Sequence, residues 1–497
     1  MTTNISPSLS HLASTSAKYL DGKFFGHVVD GVVVESLDGA TLPVLDPSTG
    51  IEVATMASGK IADVDRVVGS ARAVYENGTW RNMAPLEKEA RLHEFARLID
   101  EHREIFGDLD ALDSGLLRSY TKFLEDFGVD ATAYFAGWPS KLHGSIPPVP
   151  AGMNVQQRRV PRGVVALIVP WNGPTAVVAF AAAILATGNS VVLKAAENTP
   201  MTAVLMAELA VQAGIPAGAF NVLQGTGANV GTALVEHPGT DYIMFTGSAA
   251  TGRAIQTAAA KTLTPVALEL GGKSPFIVFD DVDIAETATA ATATVWGGQG
   301  QVCNAGTRIL VQRSIHDELV AAMVESTKES IKVGNVFDPV STMGPLVSQV
   351  QLDRVAGYVE LGKTEGADAA LDGGTIGDGG FFHEPVIFTG VRNEMRIAQE
   401  EIFGPVMSVI PFDDEAEALR IANDVEYGLA AGLFTNDLRR TGRMVEGLEA
   451  GTVWVNTFQS GYPSVSYGGV KQSGYGRTMG EDMIHELTQV KSVWIAS

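Results

Sequence analysis

A single cysteine, Cys303, stands in 497 residues. One thiol removes any disulfide framework within the chain and any cysteine-cluster zinc or iron–sulfur site, and it points to a reducing compartment. Positive charge is also scarce: 35 Lys and Arg against 57 Asp and Glu leave a formal net charge of −22. That balance repels phosphate backbones and anionic lipid, which argues against nucleic-acid and membrane-surface binding. The most apolar region, Val164 to Leu193, is broken by Pro170, Trp171, Asn172, Gly173 and Pro174, so neither half reaches the roughly 20 residues of a bilayer crossing. The N-terminal stretch has no Lys or Arg before Lys18 and no apolar core of signal-peptide length, so a soluble, cytoplasmic protein is expected. Solenoid-period repeats and low-complexity segments are missing as well.

What is present is a well-mixed globular composition, 45% hydrophobic, at a length that allows two to four domains of about 100 to 200 residues. VLDPSTGIEVATM carries a hairpin signal around its Pro-Ser-Thr-Gly turn. Ile61 to Glu76 and Leu86 to Phe106 show helical spacing of apolar residues. From Gly163 to Gly272 short β-branched runs (VVALIV, SVVLK, FNVLQ, DYIMF, PVALEL) alternate with Ala-rich stretches, at Thr175 to Thr187, Thr199 to Ala213, Ala228 to Glu236 and Ala249 to Lys261. The alternation predicts a parallel sheet covered on both faces, which takes its ligand beyond the C-terminal strand ends, where Asn172, Lys194, Gly247 and Glu269 fall. A second α/β unit is expected from Lys273 to about Lys471. In it, Asp281 or Asp283 caps a helix to about Trp296, RILVQ forms a strand and Gly373 to Gly380 a loop. The closing apolar strand, VKSVWIA, has no partner nearby and could be an edge strand shared between subunits.

Three tempting patterns fail. GTGANVG, Gly225 to Gly231, misses the dinucleotide spacing by one residue. GGKS, Gly271 to Ser274, lacks the first glycine of a phosphate loop, since Ala267 stands there. The His-Glu pairs at His93, His383 and His485 are followed four residues after the histidine by Arg97, Ile387 and Gln489, so none makes a two-histidine zinc site. Cys303 is different. A lone cysteine is by default a small buried hydrophobe, but GGQGQVCNAGTR surrounds this one with Gly297, Gly298 and Gly300, which leave backbone open to a ligand, and with polar Gln301 and Asn304. Open, polar surroundings suit a reactive thiolate.

Seven motifs in order, VPWNGP, KAAENTP, FTGS, LELGGKSP, GQVCNAGTR, EEIFGPV and YGGVKQSGYGR, make the chain resemble the aldehyde dehydrogenase superfamily over nearly its whole length. The resemblance implies that Cys303 adds to an aldehyde carbon, that the Asn172 amide and the Cys303 backbone N–H hold the oxyanion, and that Glu269 is the base activating the hydrolytic water. It further assigns Lys194 and Glu197 to the adenosine ribose, Gly247 and Ser248 to the pyrophosphate, and Glu401, with Phe403 beside it, to the nicotinamide ribose. A carboxylate at Glu197 favours NAD over NADP, though family members vary. Many members carry aromatic residues where Gly173, Gly297 and Gly461 stand here, so a widened entrance is expected, with Phe180, Trp296, Phe458 and Tyr467 as apolar wall and bulky or ring-bearing aldehydes accepted. A CoA-acylating semialdehyde dehydrogenase is the rival reading, opposed by Glu269; a catalytically silent homologue is the other, opposed by the intact site. The implied architecture is a Rossmann-like cofactor domain (1–139 and 160–271), an α/β catalytic domain (272–472) and a small β bridging region (140–159 and 473–497), in a homodimer or homotetramer.

Overall fold

The computed structural model describes residues 6–377 and 379–496. Five parallel strands, Val164–Ile168, Ser190–Lys194, Phe220–Leu223, Tyr242–Thr246 and Val266–Glu269, form the centre of an eight-stranded sheet. Across the sheet they run 266–269, 242–246, 164–168, 190–194, 220–223. The order reverses between 164–168 and 242–246, and a crevice opens beyond the strand ends at such a reversal. The sheet is not purely parallel. The hairpin His27–Val29/Val32–Val34 extends one edge antiparallel, and Gly474–Tyr475 pairs antiparallel with Val266–Glu269 on the other.

These strands read as unbroken apolar runs because both faces are covered. Val165 and Leu167 pack with helices Val178–Ala186 and Met201–Gln212. Their neighbours Val164, Ala166 and Ile168 pack on the opposite face with Ile61–Asn77 and Ala249–Ala259, the two-residue period of a strand sorting one run into two cores.

The second sheet has seven strands, in the order Asp368–Leu371, Val386–Thr389, Val406–Phe412, Arg308–Gln312, Pro275–Val278, Ala430–Phe434, Thr452–Val455. All its pairs are parallel except the first. Asp283 caps helix Ile284–Trp296 by accepting from the Glu286 N–H at 2.9 Å, which settles the choice between Asp281 and Asp283. The 41–57 hairpin forms as expected, Thr41–Asp46 against Ile51–Ala57. The glycine-rich 373–380 stretch, expected as a loop, carries a short strand, Thr375–Ile376, that pairs with Phe382–His383 just beyond it; Asp378 lies outside the described residues.

Two expectations change. The helix expected over 86–106 is two helices, Pro85–Glu101 and Arg103–Ser114, broken at His102, whose ring Nδ1 lies 2.8 Å from the Leu98 carbonyl. The closing strand, Thr488–Ala496, finds its partner in its own chain, pairing antiparallel with Met153–Pro161 over nine residue pairs. Among the described residues that ribbon pairs with no further strand, apart from an isolated bridge between Gln157 and Ser145. No helix among the described residues is long and apolar enough to cross a membrane.

Candidate active site

The loop before Cys303 runs left-handed at Gly298 (φ 64°), Gln299 (φ 58°) and Gly300 (φ 69°). A Cβ at Gly300 would collide with the Gly404 carbonyl. Gly300 therefore serves the protein's own backbone: it lets the Cys303 loop close against the loop carrying Glu401 and Phe403, where the sequence suggested room for a ligand. Gln299 fixes the turn by donating to the Gly115 carbonyl at 2.9 Å.

Asn172, Glu269, Cys303, Glu401, Phe403, Gly247 and Ser248 all line one cavity of about 240 Å³. The Asn172 amide donates to the Gln301 carbonyl at 2.8 Å, which orients it toward the loop of Cys303 and leaves its second N–H for another acceptor. Glu269 ends its strand buried, and its Oε2 has no hydrogen-bond partner. Burial pushes its carboxyl well above the usual carboxylate range, with Arg477 acting in the opposite direction. Cys303 is half-buried and its thiol is pushed up to about 12, first by burial and then by the Glu401 carboxylate, while the Tyr467 hydroxyl, 3.9 Å from Sγ, opposes the rise. The setting suits thiol placement more than the ready ionisation that the polar sequence context suggested.

Glu401 accepts from the Gly272 N–H at 3.2 Å, and burial holds its carboxyl up to about 7. A Cβ at Gly271 would strike the Glu401 carboxylate, and one at Gly272 would come within 2.6 Å of the Cys303 carbonyl. The Glu401–Phe403 loop is held from helix Gln349–Thr364: Gln351 donates to the Phe403 carbonyl at 2.6 Å, and Arg354 donates to the carbonyls of Glu401 and Ile402. Phe403 itself sits at φ 62° and meets Trp171 edge to face, centroids 5.3 Å apart. Gln351 and Arg354 carry no sequence signal, because they act on backbone carbonyls far along the chain.

A trench of about 710 Å³ adjoins this cavity, sharing Pro170, Trp171, Thr246, Gly247 and Ser248 with it and reaching Lys194 and Glu197. Lys194 Nζ lies 3.0 Å from Glu197 Oε2. Burial pushes the Glu197 carboxyl up, but Lys194 and the backbone N–H groups of Glu197 and Gly227 outweigh it, so the group stays below its ordinary value and charged at neutral pH. Ser248 caps helix Ala249–Ala259, accepting from the Thr251 N–H at 3.2 Å. At Gly247 the space a Cβ would take is filled by the Phe245 ring.

A third cavity of about 640 Å³ lies between Val302 and Asn304, the neighbours of Cys303 in sequence, and a set of aromatic rings. Phe180, Gly461 and Tyr467 line it, and a Cβ at Gly461 would meet nothing within 4 Å. Trp296, Phe458, Gly173 and Gly297 do not line it. The Trp296 indole is buried and donates to Thr327 Oγ1 at 2.9 Å, because its helix packs on His316–Ser330. Phe458 is half-buried and packs against the core, 5.5 Å from Phe276 and 4.9 Å from Trp454 between centroids. Gly297 faces Tyr120 over a separate cavity of about 260 Å³, and Gly173 lies beside Leu124. The missing wall comes from helix Arg118–Ala136, whose Tyr120, Phe123 and Phe127 line the third cavity. Their spacing of three and four residues is a helical face, a signal that was available in the sequence.

A trench over the reversal point of a doubly wound sheet, ending on a thiol flanked by a buried carboxylate and an amide, is the layout of a dinucleotide-dependent oxidoreductase. Comparison with known proteins agrees. The chain belongs to the aldehyde dehydrogenase family, whose sequence profile matches residues 33–493. It is 40% identical over 462 residues to aldehyde dehydrogenase, cytosolic 1, of Rattus norvegicus, covering 92% of each chain. Among solved structures it is similar to the NAD+ complex of a Bacillus cereus aldehyde dehydrogenase (TM-score 0.95, 37% identity, 98% and 99% of the two chains covered). It is also similar to a mutant P. syringae indole-3-acetaldehyde dehydrogenase in complex with NAD+ and IAA (TM-score 0.94, 38% identity, 97% and 99% covered).

Proposed function

We propose that the protein oxidises aldehydes to carboxylic acids with NAD as acceptor, Cys303 forming a thiohemiacetal and then a thioester that water, activated by Glu269, hydrolyses. The observation that carries this reading is the meeting of Cys303, Asn172, Glu269 and Glu401 around one cavity at the end of the trench. The sulfur bonds to the aldehyde carbon, and the oxygen that becomes negative is met by the free Asn172 N–H and by the Cys303 backbone N–H; such donors are each worth about 2.7 to 4 kcal/mol of barrier.

The trench fits a dinucleotide. Lys194 and Glu197 would hold the adenosine ribose, Gly247, Ser248 and the helix behind them the pyrophosphate, and Glu401 with Phe403 the nicotinamide ribose. When bound, NAD supplies the hydride acceptor. The charged Glu197 supports NAD over NADP, because a 2′-phosphate would face like charge. NADH formation followed with NAD and with NADP, and product analysis with and without CoA, test the reading. Acyl-CoA formed when CoA is supplied, with no acid formed without it, would refute it.

The aromatic lining of the third cavity and the open space at Gly461 support bulky or ring-bearing aldehydes as substrates, and the similarity to an indole-3-acetaldehyde dehydrogenase points the same way. Filling that space with Gly461→Phe is expected to lower kcat/KM for aromatic aldehydes by roughly ten- to a hundredfold relative to acetaldehyde. Equal losses for both would refute the wall assignment.

The 153–161/488–496 ribbon supports a homodimer or homotetramer joined through residues 140–159 and 473–497. Two strands alone are marginally stable, and Val490, Trp494 and Ile495 are 54%, 63% and 48% exposed. A second copy of the chain would cover them. Trp494→Glu is expected to shift the protein toward smaller species in sedimentation velocity. The domains implied by sequence, 1–139 with 160–271 and 272–472, accord with the two large sheets, although Gly474–Tyr475 belongs to the first of these by pairing. A single free thiol accords with the cytoplasm.

A further inference from the structure

Tyr467 lines the third cavity as expected, but its hydroxyl is not idle. It stands at the end of a hydrogen-bonded chain whose polarity is set by a backbone carbonyl. Gln459 Nε2 lies 3.2 Å from the Thr294 carbonyl and 3.1 Å from Asn304 Oδ1. A carbonyl only accepts, so the Gln459 amide must present its nitrogen there, and the Asn304 atom facing that same nitrogen must be its oxygen. Asn304 Nδ2 then faces Tyr467 Oη at 3.1 Å and can only donate to it. The phenol oxygen is thereby an acceptor, and its own proton is left for the remaining neighbour, Cys303 Sγ, at 3.9 Å.

The chain is held at both ends. Gln459 sits at φ 55°, a conformation that residues with side chains rarely adopt, and such strain persists only where surroundings enforce it. Tyr467 is clamped through its backbone, its N–H donating to Thr478 and its carbonyl accepting from Thr478, both at 2.8 Å.

We propose that the Tyr467 hydroxyl is a catalytic residue that stabilises negative charge on the Cys303 sulfur, its proton aimed there by the Thr294–Gln459–Asn304 chain. This rests on the reading of Cys303 as the nucleophile. Tyr467 keeps its proton throughout; the proton released by the thiol leaves to solvent. The surroundings make such a donor necessary. The Glu401 and Glu269 carboxylates both oppose ionisation of the sulfur, Glu401 the more strongly, and a further titratable neighbour, Tyr120, is a neutral phenol. Against them stand the Tyr467 hydroxyl and the Asn304 backbone N–H.

Because the protein has one cysteine, alkylation by iodoacetamide reports on this sulfur alone. We expect Tyr467→Phe, which keeps the ring and the cavity wall, to move the midpoint of the alkylation pH profile upward by about one unit. Below the midpoint the reaction should slow by only about three- to fourfold, because a thiolate of higher pKa is the better nucleophile, and above it the variant should react faster than the wild type. A purely structural role for the tyrosine would not produce that crossover. Asn304→Ala should shift the profile in the same direction, and should add nothing in the Tyr467→Phe background. An unchanged profile in Tyr467→Phe, or additive shifts in the double variant, would overturn the proposal. NADH formation by Cys303→Ser separates the two readings: turnover there would remove Cys303 as nucleophile, whereas an unchanged alkylation profile removes only the donor role of Tyr467.

Discussion

Replacing Cys303 by serine is expected to lower aldehyde-dependent NADH formation by roughly 10⁴-fold or more, the scale on which loss of a covalent nucleophile acts. Serine fits the space, but its hydroxyl ionises far less readily than a thiol, and the nearest strong charges, Glu401 and Glu269, repel an anion there. NAD binding should be nearly unchanged, since the trench from Lys194 to Ser248 contains no part of this side chain. Steady-state kinetics beside a direct measurement of NAD affinity checks both halves. Retained turnover would mean that hydride leaves without a covalent adduct.

Glu269→Gln should give a different failure. Acylation does not need a base for water, so the first turnover should still release a stoichiometric burst of NADH in a stopped-flow trace. The steady state should then fall by roughly 10² to 10⁴, the contribution of a general base. The pH dependence has a definite sign. The base works only when ionised, and burial raises its pKa, so wild-type deacylation should rise with pH through a range well above that of an ordinary carboxylate. In the glutamine variant that limb should vanish. A variant that loses the burst as well would place Glu269 in acylation.

The sequence made the first sheet legible because strands buried on both faces are short apolar runs, each bounded by a helix of recognisable period. The residues that meet around the Cys303 cavity and the trench were legible through motifs, those of the first sheet at strand ends and those of the second on loops that lead from a helix into a strand. The wall of the third cavity was not. Trp296 lies close to Cys303 in sequence, but its helix face turns it toward Thr327, and Phe458 is drawn into the core by Phe276 and Trp454. Their place is taken by Tyr120, Phe123 and Phe127, on a helix far away in sequence. The polar chain to Tyr467 was equally hidden, since Thr294, Asn304, Gln459 and Tyr467 come from four separate segments, and only the fold brings their amides, hydroxyl and carbonyl into line.

Gly271 and Gly272 have a consequence for engineering. One hydrogen atom on the first is the clearance for the Glu401 carboxylate, and one on the second is the clearance for the Cys303 carbonyl. Adjacent positions therefore gauge the placement of the Glu401 carboxylate and of the Cys303 backbone, and a methyl group at the first would displace the one while a methyl group at the second would displace the other. Anyone wishing to shift the Glu401 loop without crowding the Cys303 carbonyl would do better at Gln351 or Arg354, which hold that loop by its backbone carbonyls and line the same cavity as the thiol.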